Sequence, residues 1–157
     1  MDEGELPMAL RAAYLALHRR SEARFASLGV TADQFVLLAA LAEGDALTQR
    51  ELARRMPSDP STVRAMLVLL EKQGLVRREA SPRDSRARTA TLTAAGRRKM
   101  KQLWRAGEPI RQQMFAPLQA GDGEILVRLL RQIADGLNAG PLPMDNSDFS
   151  EIRLDAF

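Results

Sequence analysis

Cysteine is absent from this chain and histidine occurs once, at position 18. Without thiols there is no route to a disulfide, a thiolate metal site, a cysteine nucleophile or peroxide sensing through sulfur. With His18 as the single imidazole, a metal would have to be held by carboxylates, and no Asp/Glu group has the spacing of a calcium loop or a zinc site. No metal and no cofactor is expected. Long apolar runs are missing too. Nothing approaches the ~20 apolar residues of a membrane span, and the opening MDEGELPM is acidic, with neither the basic start nor the apolar stretch of a secretory signal. The chain is therefore expected to be cytoplasmic, with no membrane partner. Enzyme chemistry also lacks its parts: there is no nucleophile and base pair, no glycine-rich phosphate loop and no metal constellation, so catalysis is not expected.

What is present is a strongly divided charge. The net charge of +3 hides a segment, 48–105, with 15 Lys and Arg against 5 Asp and Glu, a net +10 beside −7 over the remainder. A solvated helical face is the ordinary meaning of a basic run. A positive potential concentrated next to an acidic remainder instead suits a polyanion, because it attracts phosphates and releases their counterions. At 157 residues and 45% hydrophobic, the chain can build one compact domain or one subunit of an oligomer.

Periodicity gives the elements. Leu6, Leu10, Tyr14, Leu17, Ser21, Phe25 and Leu28 recur at steps of three and four and predict a first helix over 6–28. Thr31-Ala-Asp-Gln34 has the form of a capping box, in which hydroxyl and amide each satisfy a free backbone N–H. It opens a mostly buried helix that should stop at Gly44. Thr48-Gln-Arg-Glu51 repeats the box and opens a short helix halted by Pro57. Asp59 and Pro60 suit the N-cap and first position of another helix, with Val63, Met66, Leu67 and Leu70 on one face and Gly74 at its end. Two short capped helices across a tight break form a helix-turn-helix pattern. The second shows Ser61, Thr62 and Arg64 in its first turn, away from the apolar face. Small hydroxyls there can approach phosphate, and an arginine can reach a guanine edge in the major groove.

After Gly74 the period changes. LVRREA and RTATL read as strands, and between them SPRDSRA is a polar turn with proline. The result is a β-hairpin directly after a candidate recognition helix, with Arg83, Ser85, Arg86 and Arg88 at a tip where no core exists. Such arginines can enter the minor groove. Asp84 would repel phosphate, so its expected role is internal, orienting Arg86 two residues on; an ordinary turn-forming Asp is the plainer reading.

The run LTQRELARRM, then STVRAMLVLLEKQGLVRR, then Asp84-Ser-Arg86 and LTAAG at 92–96 resembles the MarR-type winged helix-turn-helix transcription regulators, over about residues 31 to 100. The resemblance implies a mainly α fold with a small β-hairpin wing, divided into an N-terminal dimerisation helix (1–30), a winged helix-turn-helix DNA-binding region (31–96) and C-terminal dimerisation helices (97–139); the acidic C-terminal arm (140–157) is read from its composition, and the family pattern does not require it. It implies a homodimer on a pseudo-palindromic operator in double-stranded DNA. Ser61, Thr62 and Arg64 fall on the recognition helix, Arg86 on the wing arginine and Asp84 on its supporting acid. Gln49 and Arg50 fall where the preceding helix can meet the DNA backbone. One departure stands out. Where such regulators often carry a polar pair before Leu-Glu-Lys, this chain has Val68-Leu69, expected to bury against the wing or the second helix.

The C-terminal half fits a dimer. Thr93 should cap a helix bearing Met100, Leu103 and Trp104, bent at Gly107 and Pro109, and Asp122 should cap a last helix with Ile125, Leu126, Leu129, Ile133 and Leu137. Such long apolar stripes exceed what one small winged domain covers, and a second subunit would cover them through an isologous interface. In the tail, Phe149, Ile152, Leu154 and Phe157 could anchor an arm across that dimer. The resemblance also implies a small-molecule effector, often an aromatic or phenolic anion, for which His18, Phe35 and Trp104 are candidate contacts with Arg11 or Arg19 as charge partner. The plainer reading makes them a surface histidine, a core phenylalanine and an interface tryptophan. A winged helix used for protein contact is the alternative function, and it would present an apolar recognition surface.

Overall fold

The computed structural model describes residues 4–44 and 46–140. Among them the chain runs through α1 (Glu5–Ala26), α2 (Ala32–Ala42), β1 (Leu47–Thr48), α3 (Gln49–Arg55), α4 (Pro60–Lys72), β2 (Val76–Ala80), β3 (Arg88–Leu92), α5 (Ala94–Ala106), α6 (Glu108–Phe115) and α7 (Asp122–Asn138). The architecture is mainly helical with one small antiparallel sheet, as the residue pattern predicts. The arm expected over 140–157 lies outside the described residues from 141 onward. None of the described helices is long and apolar enough to cross a membrane.

Helix ends sit where side chains satisfy free backbone groups. Thr31 Oγ1 accepts from Gln34 N at 3.1 Å while Gln34 Oε1 accepts from Thr31 N at 3.0 Å. Thr48 and Glu51 make the same reciprocal pair at 3.2 and 2.7 Å. Asp59 caps α4 with Pro60 at its first position, and Gly74, at φ 70°, takes the left-handed turn that leaves the helix. The second helix ends at Ala42, two residues before the glycine expected to stop it.

Two features depart from the sequence reading. The hairpin gains a third strand, since Leu47 pairs with Ala90 and Thr48 with Thr89, so the sheet order is β1-β3-β2. Asp122 is not the cap of α7. Gly121, at φ 90°, holds that position without a side chain, and the Asp122 carboxylate turns back to accept from Gln119 N at 2.8 Å. The left-handed turn at Gly121 places Asp122 one position inside the helix, where it serves the preceding loop.

The chain divides into two compact units, Met1–Met114 and Phe115–Phe157. In the first, Leu37, Leu38 of α2, Leu52 of α3, Leu67 and Leu70 of α4 and Leu103 of α5 are the largest fully buried side chains. They join β2 and β3 through Val76, Ala90 and Leu92 in one core. Of α1 only Phe25 is buried, its ring tilted against that of Phe35 with centroids 4.8 Å apart. Arg24 Nε and Lys99 Nζ tie the end of α1 and its loop to α5, donating to Ala106 O at 2.8 Å and Leu28 O at 3.1 Å. In the second unit α7 buries none of its residues.

Candidate nucleic-acid interface

The core determines how α4 is presented. Val63, Met66, Leu67 and Leu70 fix one side of the helix against the core, so the other side faces outward along its whole length. Ser61, Thr62 and Arg64 lie on that outward side and are exposed, as the residue pattern predicts. The two hydroxyls are committed, however. Asp59 accepts from Ser61 Oγ, from Thr62 Oγ1 at 2.5 Å and from Thr62 N at 2.9 Å. These bonds, that from Ser61 first, hold the Asp59 carboxyl well below the usual carboxylate range. Each hydroxyl has one proton, and with that proton given to Asp59 only its lone pairs remain. Ser61 and Thr62 thus present acceptors at the surface, and the hydroxyl donors expected to reach phosphate are already used.

Correcting the expectation for Val68-Leu69, the structure leaves Val68 half-buried and Leu69 50% exposed. Both follow Ser61 and Ala65 along the outward side, because seven and eight residues complete two turns. The buried side of α4 is already filled by the four residues above, so nothing draws Leu69 inward.

The wing is β2, the 81–87 loop and β3, registered by Val76 opposite Leu92, Arg78 opposite Ala90 and Ala80 opposite Arg88. Ser81 N donates to Ala87 O at 2.8 Å and Ala87 N to Asp84 O at 3.0 Å, closing the loop on itself. Asp84 Oδ1 accepts from the backbone N–H of Arg86 at 2.9 Å. Its link to Arg86 is a main-chain one that sets the turn, and no ion pair joins the two side chains among the described residues. Arg83, Ser85, Arg86 and Arg88 are all exposed. Gln49 is half-buried, and its Nε2 donates to Pro60 O at 2.8 Å, joining α3 to the start of α4; Arg50 beside it is exposed.

A link that the sequence reading missed joins helix to wing. Glu71, at the end of α4, accepts from Arg78 Nε at 2.8 Å, from Arg78 Nη2 at 2.5 Å and from the Arg78 backbone at 3.3 Å. These bonds, the Arg78 side chain first, lower the Glu71 pKa. The signal was in the sequence: Glu71 and Arg78 are separated by seven residues around Gly74, the spacing that a tight reversal brings together. Gly96 is a second missed position. A Cβ there would stand 2.0 Å from Leu75 O, where the start of α5 crosses the start of the wing.

The three candidate effector contacts have separate surroundings. His18 stacks on Tyr14 at 5.7 Å, with Nε2 3.9 Å from Glu22 Oε1. Phe35 packs on Phe25 against the core. Trp104 is 52% exposed under the Arg111 guanidinium, 3.9 Å from its ring centre. Phe35 therefore keeps its core reading, and the other two lie at the surface.

Comparison with known proteins agrees with this geometry. A model of the MarR family matches residues 28–87. The transcriptional repressor Rv2887 of Mycobacterium tuberculosis is 34% identical over 128 residues, which cover 82% of this chain and 84% of that protein. Among solved structures, Bordetella bronchiseptica BpsR, whose DNA binding is regulated by 6-hydroxynicotinic acid, is 27% identical with a TM-score of 0.76, over 86% of this chain and 96% of its own. A mutant of Escherichia coli MarR complexed with operator DNA is 25% identical with a TM-score of 0.74, over 82% and 92%.

Proposed function

The chain belongs to the MarR family of winged-helix transcriptional regulators, and from that premise we propose that it is a repressor that binds double-stranded DNA sequence-specifically as a homodimer and is released by a small-molecule effector. The observation that carries this reading is the pairing of an outward-facing α4, with Arg64 in its first turn, and a wing whose exposed Arg83, Arg86 and Arg88 surround a turn set by Asp84. The Glu71–Arg78 ion pair joins the two. Arg64 reads base edges in the major groove, the wing arginines engage the minor groove and its phosphates, and Gln49 and Arg50 meet the backbone. A homodimer sets two such units about 34 to 36 Å apart, one turn of B-DNA.

The test is fluorescence anisotropy on the gene's own upstream DNA and on a random duplex across a salt series. Wild type should prefer the upstream duplex, with affinity falling steeply as salt rises. Arg86→Ala should weaken both duplexes, whereas Arg64→Ala should mainly relax the preference between them. Equal losses on both for Arg64→Ala would remove the base-reading role.

For the effector, the likeness to BpsR supports an aromatic acid, with His18 and Trp104 as candidate contacts and Arg11 or Arg19 as charge partner, while Phe35 stays packed on Phe25. Trp104 is the chain's single tryptophan, so its fluorescence reports occupancy directly. Titration with benzoate and 6-hydroxynicotinic acid should quench it and weaken operator binding by the same factor as DNA weakens the acid. A second reading has one observation in its favour: Ala65, Val68 and Leu69 put an apolar stripe on α4, which a protein-contact module would use.

A further inference from the structure

The outward side of α4 is more apolar than a solvent-facing helix needs to be. A surface helix ordinarily turns polar residues outward, yet here Ala65, Val68 and Leu69 share that side with Ser61 and Arg64 around a shallow depression. Leu69 is half exposed although the buried side of the same helix is fully occupied. Packing among the described residues does not explain these side chains, and helix propensity does not call for valine at 68.

The surroundings limit what can cover them. Arg64 lines the depression, Lys72 is exposed one turn beyond Val68, and the segment 48–105 has a net charge of +10. An apolar protein partner would have to desolvate those cations without neutralising them. The major groove of a duplex offers both needed features together: phosphates along the rims and, on base edges, the one apolar group there, the C5-methyl of thymine. From residue 61 to 69 a helix rises roughly 12 Å at 1.5 Å per residue, a length matched by about three to four base pairs.

Resting on the DNA-binding reading above, we propose that Ala65, Val68 and Leu69 form a thymine-methyl-reading surface, and that the operator carries thymines beside the base contacted by Arg64. Specificity then has two parts. Arg64 supplies a directional hydrogen-bond contact, and the stripe supplies apolar contact that cytosine, lacking the methyl, cannot return.

The experiment uses the full chain. Duplexes are enriched from a random-sequence pool, and the best is resynthesised with deoxyuridine in place of each thymine, which deletes the methyl and keeps the pairing. Wild type should lose about fourfold in affinity for each contacted methyl, from the usual value of burying one carbon group. In Leu69→Ala and Val68→Ala the thymine-to-uracil ratio should fall toward one, while Leu69→Met should restore it and Arg64→Ala should keep it. Because Leu69 lies half exposed, circular dichroism and Tm of its variants should match wild type. Equal binding of thymine and uracil duplexes, or a Leu69→Ala loss that leaves their ratio unchanged, overturns the methyl-reading role and leaves DNA binding intact. If no duplex is enriched, DNA binding itself falls and the proposal with it, and the stripe belongs to a protein contact.

Discussion

A glycine inside a helix usually weakens it, so replacing one by alanine ordinarily stabilises by about 1 kcal/mol. Gly96 should do the opposite. It lies in the first turn of α5, where Thr93 Oγ1 accepts from Gly96 N at 3.0 Å and donates to Gly74 O at 2.6 Å. Thr93 N adds a bond to Leu75 O at 3.1 Å. This junction clamps the start of α5 onto the chain leaving α4, and an alanine methyl would stand 2.0 Å from the Leu75 carbonyl oxygen. A backbone atom cannot rotate aside as a side chain can. The clash therefore outweighs the propensity gain, and Gly96→Ala is expected to destabilise by about 1–3 kcal/mol, the range for overpacked sites. Urea unfolding followed by circular dichroism would measure it, and a variant as stable as wild type would show that the junction yields.

At the scale of elements, one carboxylate ties the start of the wing to the end of α4, beside the apolar core that the two share. Glu71 accepts three bonds from Arg78, and its folded pKa is lowered from the ordinary 4.5, the Arg78 side chain being the largest cause. A lowered folded pKa means that the stabilisation is fully present above the unfolded value and is lost as pH falls through the folded one. Glu71→Gln should accordingly lose about 1 kcal/mol at neutral pH, a modest figure because water still reaches the carboxylate. The difference from wild type should shrink as pH falls below the ordinary glutamate value and through the lowered folded one. Glu51 is lowered too, first by its bond to the Thr48 backbone, so the variant should keep part of the acid sensitivity. A Tm difference that is constant across that range would mean that the link adds nothing. The same comparison shows what the residue pattern could reveal. Both capping boxes, the Asp59-Pro60 start, the Gly74 exit and the two wing strands were legible because each depends on residues within a few positions of one another. The strand Leu47–Thr48 was not, since two residues carry no period and its partner, Ala90 and Thr89, is about forty positions away. Leu69 was misjudged for a related reason: its apolar character is visible in the sequence, but only the packed helix shows that the buried side is already full. The Asp59 bonds to Ser61 and Thr62 are local, and their effect on which groups remain to meet DNA appears only with the rotamers in place.

For the whole molecule, the decisive feature is apolar surface with no cover among the described residues. On α1, Leu6, Met8, Tyr14 and Leu17 are exposed, and on α7 so are Ile125, Leu126, Val127, Leu129, Leu130 and Leu137. Monomeric proteins rarely expose apolar faces of this extent, and a larger patch marks an interaction site. A second copy is the occupant that would cover both kinds of face at once, since an isologous interface lets each subunit give and receive the same surfaces. The chain should then sediment near twice 17.4 kDa. Leu129→Glu places a charge in the middle of the α7 stripe, where burial in an interface would be costly and exposure to water would not be. The variant is expected to sediment as a monomer with its winged unit still folded, because Leu129 belongs to the second compact unit and is not among the residues of the core. Its affinity for an operator should drop by about 10²-fold or more, as two linked contacts become two independent ones. Binding to random duplex, which needs no matched pair of grooves, should fall much less. Analytical ultracentrifugation and anisotropy on the same samples separate the cases. A monomeric variant that keeps full operator affinity would mean that each winged unit reads DNA alone and that subunit spacing has no part in recognition. A dimeric Leu129→Glu would move the interface off α7.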